Sequence, residues 1–153
     1  MRTTFLLTLI ALSIYTTSAY AAVFTDNGDL TVTDATTGLM WQQCTPEHIG
    51  VGCVGGGSVA YTWEQAITYC EGLSLGGFDD WRLPNIKELS SIVDTTKSSR
   101  AIQLTYFPDT MQDRYWSSST DAGSTTDAWI VHFLLGVVGS NNKSDNYYVR
   151  CVR

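Results

Sequence analysis

The sequence predicts an α+β fold in which two helices pack on short antiparallel sheets beside a long loop region. Its patterns come in the order hairpin, helix, helix, long loop and strands, which favours antiparallel pairing. A length of 153 residues suits a single domain. Four cysteines in so short a chain suit a disulfide framework, which small exported domains often need.

The start of the chain reads as an export signal. Arg2 supplies the positive start, residues 5–14 form an apolar run, and Ala19-Tyr20-Ala21 matches a signal peptidase site. An apolar run this short does not span a membrane, which takes about 20 residues. We predict a signal peptide at 1–21, with an uncleaved interfacial anchor as the alternative. The single mature domain, 22–153, is then secreted or periplasmic, or associated with the cell surface.

The mature chain is acidic, and this limits its partners. The full sequence has a net charge of −6, and loss of Arg2 with the leader makes it −7. A negative surface repels nucleic-acid phosphates, anionic lipids and sulfated polysaccharides. No later apolar stretch is long enough to cross a membrane. We expect no nucleic-acid partner and no membrane span after cleavage.

The cysteines are predicted to form disulfides rather than a metal site. Cys44, Cys53, Cys70 and Cys151 are an even number in an exported chain, and they allow three pairings. A zinc site built on Cys44, His48 and Cys53 is the alternative. Its spacing lacks a C-x-x-C knuckle, so we predict no metal.

A hairpin opens the mature domain, and two capped helices follow it. Short strands around Leu30 to Val32 and Leu39 to Trp41 flank a turn, and turn residues precede them at 24–29. The first helix starts at a capping box of Thr62 and Gln65, and the second at Asn85 with Glu88. Their apolar faces are Trp63, Ala66, Ile67, Cys70 and Leu73, and Ile86, Leu89, Ile92 and Val93.

The second half of the chain is predicted as a long loop and then strands. Residues 94–113 show no periodicity, and loops of that length are usually functional or anchored. Strand patterns follow at 115–119, 128–135 and 147–152, with a turn region at Gly136 and 139–142. His132 lies in the most apolar strand, where a core or hydrogen-bonded role is expected.

The ordered motifs resemble one family, the Lcl C-terminal domain family, which takes its name from the tail domain of a collagen-like adhesin. The residues that carry the resemblance are Asp26-Asn27-Gly28-Asp29, Thr37 to Trp41, Trp63-Glu64, Tyr69-Cys70, Trp81 to Leu89, Tyr115 to Ser118 and Tyr148 to Arg153. They cover nearly the whole mature chain. The resemblance implies a fold similar to those of C-type lectins and formylglycine-generating enzymes.

The resemblance also implies a disulfide pairing. The ligand of the adhesin domain, in contrast, does not suit this chain. In such folds a cysteine on the first helix bonds one near the end of the chain, which here means Cys70 with Cys151 and leaves Cys44 with Cys53. The adhesin domain binds sulfated glycosaminoglycans and trimerises, but this chain is acidic. Its only hint of a basic spot is Arg82, Arg150 and Arg153, and the calcium-dependent Glu-Pro-Asn sugar signature is absent.

Candidate ligand-binding residues lie in the segment 94–127, because the helices and the end of the chain are committed to the core. They combine carboxylates with an aromatic face that suits sugar stacking: Asp109, Asp113, Arg114, Trp116, Asp121 and Asp127. Calcium on these aspartates, or on Asp79 and Asp80, is the alternative to a solvated acidic surface, and no cofactor is predicted.

The residues therefore favour a binding or adhesion module over an enzyme. There is no G-x-S-x-G elbow, and His48 is expected to be exposed in a cysteine-closed loop. The expected ligand is a glycan or a protein surface, neutral or cationic because of the negative charge. The alternative is a structural component of the cell envelope that assembles as a homo-oligomer.

Overall fold

The computed structural model describes residues 23–48 and 50–153, and it confirms the α+β class. The predicted signal peptide lies outside the described residues. Two three-stranded antiparallel sheets and two α-helices make up the regular structure of this part of the chain. None of its helices is long and apolar enough to cross a membrane.

The first sheet contains the predicted hairpin and one further strand. Its strands are β1 (Phe24–Asp26), β2 (Thr31–Asp34) and β3 (Met40–Gln42), in that spatial order, with Val32 opposite Trp41. The turn chemistry predicted for 24–29 is correct only in part, because residues 24–26 form β1. The turn itself is real, since Gly28 has φ 77° and its amide donates to Asp26 Oδ1 at 2.9 Å.

Both helices begin at the predicted capping boxes. Helix α1 is Trp63–Glu71, and the amides of Thr62 and Gln65 are each bonded by the other residue's side chain. Helix α2 is Ile86–Ser91, where Asn85 and Glu88 exchange the same two bonds at 2.8 and 3.0 Å. The caps satisfy amides that have no partner within a helix. They fix where two short helices start.

The second sheet follows the long loop. Its strands are β4 (Arg114–Asp121), β5 (Ser124–His132) and β6 (Val137–Asn142), with β5 in the centre. The prediction of a turn at 139–142 was wrong, because these residues pair with β5 throughout. His132 is half-buried, and its Nδ1 accepts from the Leu134 amide at 3.3 Å, which confirms the hydrogen-bonded role.

The end of the chain is bonded into the fold without forming a regular strand, so the predicted strand at 147–152 was wrong. It makes single bridges to different neighbours: Tyr147 to Tyr61, Tyr148 to Tyr115, and Val152 to both Trp41 and Arg82. A segment that changes partner every few residues ties the two sheets and the loops between them together.

Two buried clusters enclose the second sheet. Tyr115 and Val131 lie in one cluster, while their neighbours Trp116 and Ile130 lie in the other. Side chains alternate between the faces of a strand, so β4 and β5 have a core on each side. This explains why Tyr115 and Trp116 of β4 and residues 128–131 of β5 are apolar on both faces.

Two disulfides close the fold, and both pairings implied by the resemblance are confirmed. The long bridge joins Cys70 on α1 to Cys151, across 81 positions, and the short bridge joins Cys44 to Cys53 across 9. No cysteine of the chain is free. The short bridge closes a loop whose middle is a 3-10 helix, Val51–Cys53.

Candidate functional site

The six predicted ligand-binding residues do not form a single site. Arg114 and Asp121 are the two ends of β4, which places them about 23 Å apart at the usual rise per strand residue. Asp121 and Asp127 belong to the β4–β5 hairpin, where Asp121 accepts the Gly123 amide at 2.9 Å. That bond lowers the pKa of Asp121. Asp121 therefore stabilises the turn, while Asp127 accepts hydrogen bonds from the side chains of Thr126 and Asn142.

Trp116 offers no face to a ligand. Its side chain is fully buried, the indole nitrogen donates to the Tyr61 carbonyl at 2.9 Å, and the ring packs on Tyr147. The alternative role, in the core, is the one the structure shows. The aromatic ring near the surface here is that of Tyr147, which is half-buried.

A small polar surface surrounds Tyr147. The Arg114 guanidinium lies 5.4 Å from the ring centre and 3.5 Å from Asp113, and the Tyr147 hydroxyl donates to Asp145 at 3.2 Å. Burial, followed by the nearby charge of Asp145, raises the pKa of Tyr147. Two of the six predicted residues, Asp113 and Arg114, therefore do come together at the surface.

Asp109 is the centre of a buried polar cluster rather than a surface ligand. Its side chain is only 3% exposed. One oxygen accepts from Arg150 at 3.2 Å, and the other accepts from the amide and hydroxyl of Thr45 and from His48, all at 2.6 Å. Burial opposes ionisation, but the Arg150 charge and these hydrogen bonds outweigh it and lower the pKa of Asp109.

Two sequence predictions fail at this cluster. The sequence hints at a basic spot that includes Arg150, yet Arg150 is fully buried and donates to the carbonyls of Gln42 and Gln43 as well as to Asp109. His48 was expected to be exposed, but its side chain is only 16% exposed because it bonds Asp109. The two other arginines of that spot are also paired, Arg82 with Glu88 and Arg153 with Asp80.

The long loop 94–113 holds an open pocket of about 580 Å³, within the usual range for ligand pockets. Its lining mixes charges, hydroxyls and two apolar side chains: Asp94, Thr96, Lys97, Ser99, Arg100, Ile102, Gln103, Leu104 and Thr105. Asp94 is already bonded by the amide and hydroxyl of Thr96. Within 23–48 and 50–153, no ion pair involves Lys97 or Arg100.

The floor of this pocket is anchored, and one of its walls is strained. Ile102 is 1% exposed and belongs to the core, and the Ala101 amide donates to Phe133 at 2.6 Å. Arg100 has φ 52°, a left-handed conformation that few residues other than glycine adopt. Such strain is often found at functional sites. The sequence carries no local signal for this pocket beyond the length of the loop.

The described residues hold no cluster of three or more histidine, cysteine or acidic side chains that could bind a metal. Asp80, one of the calcium candidates, is engaged by Arg153 at 2.6 Å, and that bond lowers the pKa of Asp80.

Fold and site together define a small disulfide-linked α+β domain with a largely buried polar cluster around Asp109 and an open pocket on its long loop. A family model for the Lcl C-terminal domain matches residues 30–153. The chain belongs to the Lcl C-terminal domain family, which is associated with adhesins. No curated protein matches the chain. The two disulfides and the family fit an extracellular location.

Proposed function

We propose that this domain is an exported binding module of C-type-lectin-like fold whose ligand binds in the pocket of the long loop. The observation that carries the proposal is the pocket itself. The long loop forms it, with Ile102 buried in the core at its floor and its other side open to solvent. Association of the family with adhesins and the two disulfides support it.

The charges of the pocket narrow the class of ligand to a neutral glycan. A mature net charge of −7 disfavours polyanions, as the sequence predicts. Lys97 and Arg100 in the lining, against the single carboxylate of Asp94, disfavour a cation. Hydroxyls at Thr96 and Ser99 beside apolar side chains suit the alternating polar and apolar faces of a sugar ring.

A glycan array on oxidised protein tests this function, with and without added calcium. The variant Thr105→Trp places a bulky ring in the pocket lining and should abolish binding. The matched control Thr125→Trp adds the same ring at an exposed position on the β4–β5 hairpin and should bind as the wild type does. Equal binding by both variants would place the ligand elsewhere.

Export is tested separately by mass. The secreted or periplasmic protein should begin at Ala22 and gain about four hydrogens on reduction, one pair for each bridge.

A role in assembly is the second candidate, and one surface favours it. Leu135, Val137 and Val138, around the turn into edge strand β6, are 65%, 49% and 48% exposed. Exposed apolar groups on an unpaired strand edge are sites of self-association. Light scattering on purified protein would show an oligomer that Val138→Lys converts to a monomer, whereas a monomeric wild type would exclude this role.

A further inference from the structure

Three polar side chains form a connected row beside the short bridge. The Asp109 carboxylate lies 2.6 Å from His48 Nδ1, and His48 Nε2 lies 3.4 Å from the hydroxyl of Ser58. They come from separate parts of the chain: the loop closed by the short bridge, the glycine-rich stretch after it, and the long loop. Neither the binding function nor the disulfide framework requires this order of acid, imidazole and hydroxyl.

The bonds at Asp109 determine which nitrogen of His48 carries the proton. A carboxylate paired with Arg150 and bonded by Thr45 is ionised, so it can only accept hydrogen bonds. The nitrogen that faces it, Nδ1, must therefore donate. In a neutral imidazole Nε2 is then the basic nitrogen, and its lone pair points towards the hydroxyl of Ser58.

The loops that carry His48 and Ser58 are held together by close packing. A Cβ atom on Gly56 would lie 1.6 Å from the carbonyl oxygen of Glu47, so only glycine allows this approach. Gly56 also has φ 81°, which glycine adopts without strain. The row is accessible from one side, because Ser58 is half-buried and His48 is 16% exposed, whereas Asp109 is 3% exposed.

We propose that Ser58 is a nucleophile activated by His48, with Asp109 as the positioning residue, and that this centre hydrolyses esters of small acyl groups. The small exposed fraction of His48 is what limits the acyl group in size. This activity goes beyond the proposed binding function and uses different residues.

The reaction would follow the chemistry of an acylated serine. Ser58 Oγ bonds to the ester carbonyl carbon while its proton passes to His48 Nε2. The ester C–O bond then breaks, and the leaving alcohol takes that proton. Water next attacks the acyl group and gives its proton to His48. The acid departs as the bond to Ser58 breaks, and Ser58 recovers the proton from His48.

The test uses oxidised full-length mature protein and an alkyl fluorophosphonate, which labels activated serines covalently. We expect one adduct, mapped by peptide mass to Ser58, together with release of p-nitrophenol from p-nitrophenyl acetate. Ser58→Ala should abolish both, and His48→Gln should slow labelling at least a hundredfold, as expected for loss of a general base. Ser118→Ala, at an exposed serine on β4 outside both the row and the pocket, should leave labelling unchanged.

The variant Asp109→Asn tests whether Asp109 positions His48 for the reaction or only stabilises the fold. An amide can donate to Nδ1 and so favours the other tautomer, which should lower the labelling rate and alter its pH profile in protein that still melts cooperatively. The absence of an adduct on wild-type Ser58, or labelling at the same rate in His48→Gln, would overturn the proposal. Glycan binding by Ser58→Ala reports on the binding function independently.

Discussion

Removal of the buried guanidinium should destabilise the domain more than the loss of any surface charge. Arg150 has no exposed side-chain area, and it donates to Asp109 at 3.2 Å, to Thr110 at 3.0 Å and to Gln42 at 2.8 Å. Arg150→Met removes the guanidinium, whose carbon lies 4.8 Å from the centre of the Phe107 ring, and leaves the Asp109 carboxylate buried without that cation.

The expected cost follows from that uncompensated charge. Loss of one partner of a buried ion pair costs roughly 3–5 kcal/mol. For a domain of this size each kcal/mol corresponds to about 3 °C, so Tm should fall by roughly 10–15 °C. Urea unfolding of oxidised protein at neutral pH, followed by tryptophan fluorescence, measures the free energy of unfolding directly.

Arg114→Met is the matched control. Its guanidinium is 40% exposed and lies 3.5 Å from Asp113, a surface pair whose loss should cost less than about 1 kcal/mol. The double variant Arg150→Met with Asp109→Asn should recover part of the loss, because the unpaired charge is then gone. If Arg150→Met and Arg114→Met proved equally stable, the assignment of a buried ion pair would be wrong.

Three further outcomes are expected. Replacing both cysteines of the long bridge by alanine should lower the free energy of unfolding by about 4.5 kcal/mol in the chain-entropy model, and replacing those of the short bridge by about 2.6 kcal/mol. Thermal melts in which the short-bridge variant is the less stable of the two would contradict this. Gly56→Ala should lower Tm by several degrees, whereas Gly57→Ala, whose Cβ meets nothing within 4 Å, should not; comparable melts would refute the close approach. Despite burial, Arg150 holds the pKa of Asp109 in the folded protein below its ordinary 3.8. The contribution of ionised Asp109 to the free energy of unfolding is therefore complete above about pH 5 and is lost as the pH falls through the folded-state pKa. The urea midpoint of Asp109→Asn should therefore fall less steeply in acid than that of the wild type, and parallel curves would rule out this linkage.

Local signals in the sequence were sufficient for the helices and much of the sheets. The caps at Thr62 and Asn85 act over three residues, so they can be read without knowledge of the rest of the fold. Strand β6 was harder to predict from the sequence. Strand β6 contains Gly139 and two asparagines, which are turn residues by composition, but pairing with β5 outweighs their local preference.

The buried polar cluster around Asp109 depends on contacts between distant parts of the chain, which local sequence patterns do not show. Nothing local links Asp109 to Arg150, which lie 41 positions apart, or to His48, 61 positions away. An arginine near the end of an acidic chain suggests a surface position, since long charged side chains are seldom fully buried. Only the packing of the long loop against the first sheet shows that Arg150 compensates the buried charge of the Asp109 carboxylate.

The positions of the four cysteines also bear on how the protein matures. If the chain is exported as proposed, Cys44 and Cys53 enter the oxidising compartment first, whereas Cys70 precedes its partner Cys151 by 81 positions. During that interval Cys70 is a free thiol close to a newly formed disulfide, which it can attack by exchange. Such exchange leaves wrongly paired cysteines that an oxidase alone cannot reverse, so the yield of correctly bridged domain should fall in cells that lack a disulfide isomerase.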